Sequence, residues 1–516
     1  MIADNNGNAA AYFVERHRTT SYADKAVFIE GDGKNRQLSY AELATESDKL
    51  ADLYQRCGVR REQRAALLLL DTIEYPVIFW GSLKAGVIPI ALNTLLATEV
   101  YQSILADSRA TVLFVSQPLL DVIAPALSRC PELQHVFVVG DEKSEHHSYA
   151  SEIASCQPTA MLNVSPDETA FWLYSSGSTG KPKGVRHSHS SMQFTAETYG
   201  RQVLGIEHDD TLFSIAKIFF AYGLGNTMTF PMSVGATAVL MSGRPTPDAV
   251  LSIINQQKPS IFCGVPTFYA ALVAHLESHP EKIDTPLRRC ISAGEALPEN
   301  VGNGWQAITG CEILDGVGST EMLHIFLSNQ AGDVQYGTSG FAVPGYEIRL
   351  VDEHGAEVSV GEVGELLVNG ASAASDYWNQ RDKSRATFEG IWTRTGDKYE
   401  KAADGRMIYC GRTDDMFKVS GIWVSPFEVE QALGSHENVL EAAVVPALDD
   451  QQLEKPKAFV VLKNAVDEAA TEALKDELKA HVQEQIGKWK YPRWIELVAD
   501  LPKTATGKIQ RFKLRD

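Results

Sequence analysis

The run Tyr174 to Gly184 (YSSGSTGKPKG) gathers three glycines, four hydroxyls and two lysines into eleven residues. Glycine lets backbone amides approach an anion closely, hydroxyls donate hydrogen bonds and lysine supplies charge, so the composition suits a polyphosphate. The spacing is neither GxxxxGK[ST] nor GxGxxG. Glycine and serine runs are commonly plain flexible loops, but Lys181 and Lys183 flanking Pro182 turn the reading toward phosphate. Two histidine pairs, His187 with His189 and His146 with His147, lack the cysteine or carboxylate partners of a tetrahedral metal site. They are read as solvated or locally bonded. GxSxG occurs nowhere in the chain, which argues against a serine hydrolase.

The phosphate run follows a strand-like AFWLY, and the segments before it indicate what holds it. Tyr40, Leu43, Leu50, Leu53 and Tyr54 recur at helical spacing, with Gly58 as the stop. Residues 65–70 read as a buried strand, 71–86 as a helix capped by Asp71, and 87–92, 110–116 and 135–141 as further strands. Continuous apolar strands separated by helices are covered on both faces, which predicts a mostly parallel, doubly wound sheet. From about Thr338 glycine and short β-type runs (346–352, 364–370) predict a small β-rich subdomain. Past a boundary near residues 411–421, a helix (427–436), two strands (440–447, 457–463) and a helix faced by Leu474, Leu478, Val482 and Ile486 predict an α+β unit. The fold class is α/β: a large N-terminal domain, residues 1–413, of layered α/β sheets with the β-rich subdomain, then a small α+β C-terminal domain, residues 414–516.

Composition narrows the partners. The 516 residues carry 47 Lys and Arg against 66 Asp and Glu, a net charge of −19, which repels nucleic acid and anionic membrane. Seven cysteines without a CxxC pair read as reduced thiols, and no signal peptide or membrane-spanning run is found, so a cytoplasmic protein is expected. Residues 488–516 invert the balance, with eight basic side chains against three acidic ones, a concentration of positive charge able to meet nucleotide phosphates.

Six segments in order resemble the adenylate-forming enzymes, which include acyl- and aryl-CoA ligases, firefly-type luciferases and nonribosomal peptide adenylation domains. They are the phosphate run, Gly294–Pro298 (GEALP), Asp315–Glu321 (DGVGSTE), Thr393–Asp397 (TRTGD), Gly411–Asp415 (GRTDD) and Pro502–Lys508 (PKTATGK), and the likeness covers nearly the whole chain. It is greatest to benzoate-type CoA ligases, through Phe219–Asn226 (FFAYGLGN), Met322–Phe326 (MLHIF) and the run from Cys410 to Leu433. A carboxylate resists attack by a thiol, so such enzymes first couple it to AMP and then transfer the acyl group. The resemblance implies ATP, Mg2+ and CoA as co-substrates or cofactors. It implies that Ser175, Ser176, Gly177, Ser178, Thr179, Gly180 and Lys183 hold the β- and γ-phosphates. Thr320 would bond the α-phosphate and Glu321 would hold magnesium, a hard cation that prefers oxygen. Asp397 would take the ribose, with Arg412 alongside. Gly294, Glu295, Asp315, Gly316 and Val317 complete the nucleotide set, although Val317 stands where the family commonly has an aromatic residue. Lys508 would bridge the carboxylate and the α-phosphate as negative charge shifts. Asp414 would be the hinge of a mobile C-terminal domain, whose rotation would bring Lys418, Ser420, Gly421 and Trp423 to the site for thioester formation.

For the acid, Phe220, Ala221, Tyr222 and Gly223 form a compact aromatic segment suited to a flat ring. Gly316, Gly318, His324 and Ile325 would line the rest, with His324 able to bond a ring hydroxyl or simply pack. Core packing is the bland alternative for any one of the phenylalanines. The resulting expectation is benzoate, with 4-hydroxybenzoate or aminobenzoate next. The rival classes are an enzyme loading a carrier protein and a noncatalytic nucleotide-binding protein. Because the chain runs only eight residues past Lys508, free CoA is the expected acceptor. Resemblance also leaves open a homodimer and control by a lysine acetyltransferase and deacetylase acting on Lys508.

Overall fold

The computed structural model describes residues 6–33, 35–140, 145–176, 182–279, 283, 287–413, 415–419, 422–450, 453–464, 466–487, 490–503 and 509–515. Two large sheets dominate it. One has eight strands. Thr169–Ser176, Ile88–Ala91, Arg64–Leu68, Val112–Ser116, His135–Val139 and His147–Ser148 run parallel in that spatial order. Pro182–Ser188 and Asp376–Tyr377 are added antiparallel at the edge. The chain enters in the middle and winds both ways, as the apolar strands and intervening helices predict. The second sheet has nine strands around a parallel run of Ile313–Gly318, Arg289–Ser292, Ile261–Gly264, Thr211–Ser214, Thr237–Leu240 and Ala26–Glu30. The β-rich subdomain is a five-stranded sheet including Val363–Asn369, Trp392–Lys401 and Met407–Arg412.

Helix Tyr40–Arg56 starts where expected because Ser39 and Glu42 form a reciprocal capping box, and it stops before Gly58 at φ +70°. It packs on helix Glu74–Lys84, with Gly81 at the contact. A Cβ built there would lie 2.7 Å from Leu50 Cβ and from the Ser47 carbonyl oxygen. Asp71 does not cap that helix, contrary to the expectation. Its carboxylate accepts instead from the amide of Ile218, 3.3 Å away in the turn after strand Thr211–Ser214 of the other sheet, and the Ile73 amide goes to Glu30. Asp71 thus ties two sheets together, and burial raises its carboxyl to about 6.

Beyond residue 415, helix Pro426–Gly434 and helix Glu468–Ile486 pack on a three-stranded sheet of Val439–Leu448, Glu454–Leu462 and Trp494–Leu497. Leu474, Leu478 and Val482 are buried there with Val429, Leu433, Val444 and Val460. Four of the eight basic residues in 488–516 are engaged in ion pairs. Lys490 pairs with Glu428, Lys503 with Glu441, Arg511 with Glu430 and Arg515 with Asp415, at 2.5 to 2.6 Å. All seven cysteines are free thiols, and no helix among the described residues is long and apolar enough to cross a membrane.

The Gly81 contact gives a stability test. Gly81→Ala forces the two helices apart and lowers stability by roughly 1–3 kcal/mol, the usual cost of overpacking. Urea unfolding followed by tryptophan fluorescence reads it; an unchanged midpoint would show that the helices part freely.

Candidate functional site

Strand Thr169–Ser176 carries the start of the phosphate run, and Pro182–Ser188 returns from it antiparallel, with Ser175 opposite Lys183. Gly177, Ser178, Thr179, Gly180 and Lys181 lie outside the described residues, as do Asp414, Ser420, Gly421 and Lys508. Ser176 is placed by its backbone, as the partner of Pro182 in the ladder. Among the described residues the buried hydroxyl of Ser175 has no hydrogen-bond partner. Lys418 and Trp423 face each other in the register of a short hairpin, Phe417–Val419 with Ile422–Val424.

Ile313–Gly318 turns back on Ile325–Ser328, pairing Gly316 with Ser328, Val317 with Leu327 and Gly318 with Ile325. Both glycines are needed for this hairpin to close. A Cβ at Gly316 would meet the Leu327 carbonyl oxygen at 2.8 Å, and one at Gly318 the His324 carbonyl oxygen at 2.5 Å. The turn between holds Thr320 and Glu321. Tyr377 donates to Glu321 Oε1 at 2.7 Å, and Lys183 Nζ lies 3.3 Å from both that oxygen and the Tyr377 hydroxyl. The Lys183 and Glu321 side chains are only 12% and 17% exposed. Burial pushes the Glu321 carboxyl up, but the Lys183 charge and the Tyr377 hydroxyl outweigh it and hold the group below the ordinary glutamate value.

His187 corrects an expectation. It is buried, and its Nε2 donates to the Thr320 carbonyl oxygen at 2.8 Å while its ring stacks on Phe171. Burial lowers it to about 4, so the neutral ring fastens the strand leaving the phosphate run to the turn that carries Glu321. His189 is likewise buried and accepts from the Ala9 amide. Sequence gave no sign of either contact because both partners are more than a hundred residues away.

The neighbouring strand, Arg289–Ser292, leads into a bend with Gly294, at φ +102° with open space around it, and half-buried Glu295. Asp315 is buried beside them, with Oδ2 3.3 Å from the Leu297 amide. Asp397 pairs with Arg412 at 2.8 Å across Trp392–Lys401 and Met407–Arg412. The phosphate strands, Gly294 and the Asp315–Glu321 hairpin therefore meet at the carboxyl ends of parallel strands, where α/β sheets commonly bind ligands. A separate cavity of about 400 Å³ lies at the opposite strand ends, beside Arg64, Ile88 and Thr169, and none of the expected site residues lines it.

Phe220 precedes helix Ala221–Leu224, which continues as a π-helix over Gly225–Thr229. A Cβ at Gly223 would sit 2.0 Å from the Lys217 carbonyl oxygen, so only glycine fits. Tyr222 donates toward the Gly264 and Ile291 carbonyls. His324 sits among the rings of Tyr199, Tyr222 and Phe230, with centroids at 5.1, 5.5 and 4.5 Å. Burial drives it down to about 3, so it is neutral. Ile325 packs over Gly316. Asn226, to which the sequence reading gave no role, is fully buried. Among the described residues neither its amide atoms nor the His324 ring nitrogens make a hydrogen bond of ordinary geometry.

Glu321 offers ionised oxygen, and the described residues contain no cluster of three His, Cys, Asp or Glu side chains. That donor set suits a hard cation shared with nucleotide phosphates, such as Mg2+, and not an all-protein metal cage.

Asp315 supplies a pH test. Burial raises its carboxyl from 3.8 to about 8, so the folded chain holds a proton that the unfolded chain releases near pH 4. Its contribution to stability is full below pH 4 and is lost as pH rises to about 8. Asp315→Asn should flatten the fall in melting temperature of the ligand-free protein between pH 6 and pH 8.5. Curves that stay parallel to wild type would place the carboxylate in its ionised form.

The AMP-binding enzyme family model matches residues 15–378, and the AMP-binding enzyme C-terminal domain matches 428–508. The chain is 52% identical over 514 residues to a benzoate–CoA ligase of Thauera aromatica, covering 98% of this chain and 95% of that protein. It is 50% identical over 510 residues to a 4-hydroxybenzoate–CoA/benzoate–CoA ligase of Rhodopseudomonas palustris, covering 99% and 94%. A crystal structure of a benzoate CoA ligase from Burkholderia xenovorans superposes with a TM-score of 0.90 at 46% identity, covering 99% of this chain and all of that one. With its nucleotide motifs at the ends of parallel strands and a family match over more than half its length, the chain belongs to the AMP-binding enzymes.

Proposed function

We propose that the protein is an ATP-dependent aryl-CoA ligase, converting benzoate, ATP and CoA to benzoyl-CoA, AMP and pyrophosphate through benzoyl-AMP. One observation carries the aryl reading: the aromatic enclosure around His324 stands three residues from Glu321, on the hairpin that also carries Thr320. An apolar ring in that enclosure brings its carboxylate toward the groups that handle phosphate.

In the first half-reaction a carboxylate oxygen attacks the α-phosphorus, the bond from that phosphorus to the bridging oxygen breaks, and pyrophosphate leaves. Two anions are brought together, so catalysis is mostly positioning and neutralisation. Lys183 and the serine-rich run hold the departing phosphates, Thr320 bonds an α-phosphate oxygen, and Asp397 with Arg412 orients the ribose. Lys508 bridges the carboxylate and the α-phosphate. Bound Mg2+ would neutralise phosphate charge beside Glu321. In the second half-reaction the CoA sulfur, having lost its proton, attacks the acyl carbon and AMP departs. Rotation about Asp414 withdraws Lys508 and brings in residues 418–424.

A second reading, a hydroxy- or aminobenzoate ligase, is favoured by Asn226 and His324. Their buried, unpartnered polar atoms would gain most from a ring substituent able to hydrogen-bond, since an unmade bond costs about 1–3 kcal/mol per group.

Two tests follow from these assignments. Pyrophosphate release is measured with benzoate, its 2-, 3- and 4-hydroxy and amino derivatives, and medium-chain fatty acids, with and without CoA. Benzoate should lead. A hydroxy or amino acid in front would select the second reading, fatty acids in front would overturn the aryl pocket, and ATP binding without any release would indicate a noncatalytic protein. Lys508→Ala should slow adenylate formation by about 100-fold or more while leaving thioester formation from supplied benzoyl-AMP largely intact. Equal loss in both half-reactions would refute the bridging role.

A further inference from the structure

Tyr377 belongs to none of the motifs that carry the nucleotide assignments, yet among the described residues it makes the shortest hydrogen bond to the Glu321 carboxylate. Strand Asp376–Tyr377 joins the edge of the phosphate strands, with Tyr377 opposite Val185 and Asp376 opposite Arg186, to which it is also bidentately paired. The neighbouring Ala374 amide donates to the Glu321 carbonyl oxygen at 2.7 Å. The segment is therefore pinned on both sides of the site. Its phenol donates to Glu321 Oε1 at 2.7 Å, and its ring lies 4.3 Å from Lys183 Nζ and 5.2 Å from the Phe388 ring. Lys183 is engaged with the same carboxylate oxygen at 3.3 Å.

This triangle raises a problem of charge. On the proposed reading, Lys183 must face the ATP phosphates and Glu321 must face a cation bound to them, so the two cannot keep one another. When Lys183 turns to phosphate, Glu321 loses its only described ion-pair partner in a largely enclosed place. A donor that carries no charge of its own and sits on a fixed strand can keep the carboxylate oriented through the exchange.

We propose that Tyr377 is a positioning residue for Glu321, and that the Lys183–Glu321 pair is a latch which MgATP opens while Tyr377 stays on the carboxylate. The inference rests on the nucleotide site of the proposed function but not on the identity of the acid. One oxygen of Glu321 remains tied to the phenol, which leaves the carboxylate aimed for metal in a fixed orientation. Partners that orient a ligating carboxylate typically change metal affinity by 10- to 100-fold when removed.

The test is equilibrium binding of ATP to the full-length protein by calorimetry, with no acid or CoA, across a Mg2+ titration and in EDTA. Tyr377→Phe keeps the ring against Phe388 and Lys183 and removes only the hydroxyl. It should raise the Mg2+ concentration needed for tight ATP binding by about tenfold and leave metal-free ATP binding unchanged. In a Glu321→Gln background the same substitution should have no further effect, because it acts through that carboxylate. Unchanged Mg2+ dependence, equal weakening in EDTA, or additive losses in the double variant would each overturn the proposal. The ligase reading fails separately, by the absence of pyrophosphate release from any aryl acid in wild-type protein.

Discussion

A carboxylate kept ionised in an enclosed site is the constraint around which this structure is arranged. Glu321 has most of its side chain out of water, which by itself favours the neutral acid. A neutral acid could not serve a cation. The charge is retained because Lys183 and the Tyr377 hydroxyl converge on one oxygen, and those two groups come from strands that neighbour each other in the eight-stranded sheet. Glu321 itself comes from the hairpin near one edge of the nine-stranded sheet. The ion pair is thus also a joint between sheets, and the fold must bring their edges together before the pair can exist.

Other contacts across the same joint serve that registration. His187, three residues past the phosphate run, donates to the Thr320 carbonyl and stays neutral because it is buried. Asp71, at the end of a strand in one sheet, takes the Ile218 amide close before the aromatic segment of the other. The Ser372 hydroxyl donates to the Met322 carbonyl, so the chain just before Asp376–Tyr377 is stitched to the same turn. Each bond is modest alone, worth about 1 kcal/mol net. Together they fix the relative positions of the phosphate strands, the Glu321 carboxylate and the aromatic enclosure, and positioning of this kind is what joining two anions chiefly requires.

What sequence could reveal divides along the range of the interactions. Apolar strand runs, the Ser39–Glu42 capping box and the glycine-rich segments are local, and the elements they imply are present near the expected places. Gly223, Gly316 and Gly318 stood out in the sequence as candidate pocket residues, but the reason each is glycine, a carbonyl within 3 Å of any Cβ, appears only once the backbone has folded back on itself. Asp71 was misread because an acidic residue before an apolar helix is the local signature of a cap, whereas its partner lies 147 positions away. His187 was misread for the same reason, with burial added: a histidine next to a polar run looks solvated until a phenylalanine is stacked on it. Tyr377 and Asn226 had no signal of their own, since a tyrosine in a polar stretch and an asparagine after a glycine have many ordinary uses. Lys508 and residues 177–181, the motifs most legible in sequence, lie outside the described residues, so their roles rest on resemblance and on the neighbours that the structure does describe.

Counting charge along the chain says nothing of which charges pair. The eight basic residues between 488 and 516 suggested an electrostatic surface that could gather nucleotide, but four of them are paired with Glu428, Glu430, Glu441 and Asp415, from earlier in the same C-terminal region. A paired cation stabilises its own neighbourhood and projects little field beyond it, all the less when salt screens the remainder. An acidic protein that binds three anionic substrates therefore has to rely on single cations placed at the reacting atoms, not on a diffuse basic face. On the proposed reading Lys183 is such a cation, held in reserve by its pairing with Glu321. A pair of that kind balances both charges in a largely enclosed place, and on the proposed reading nucleotide binding redirects both of them to the substrate.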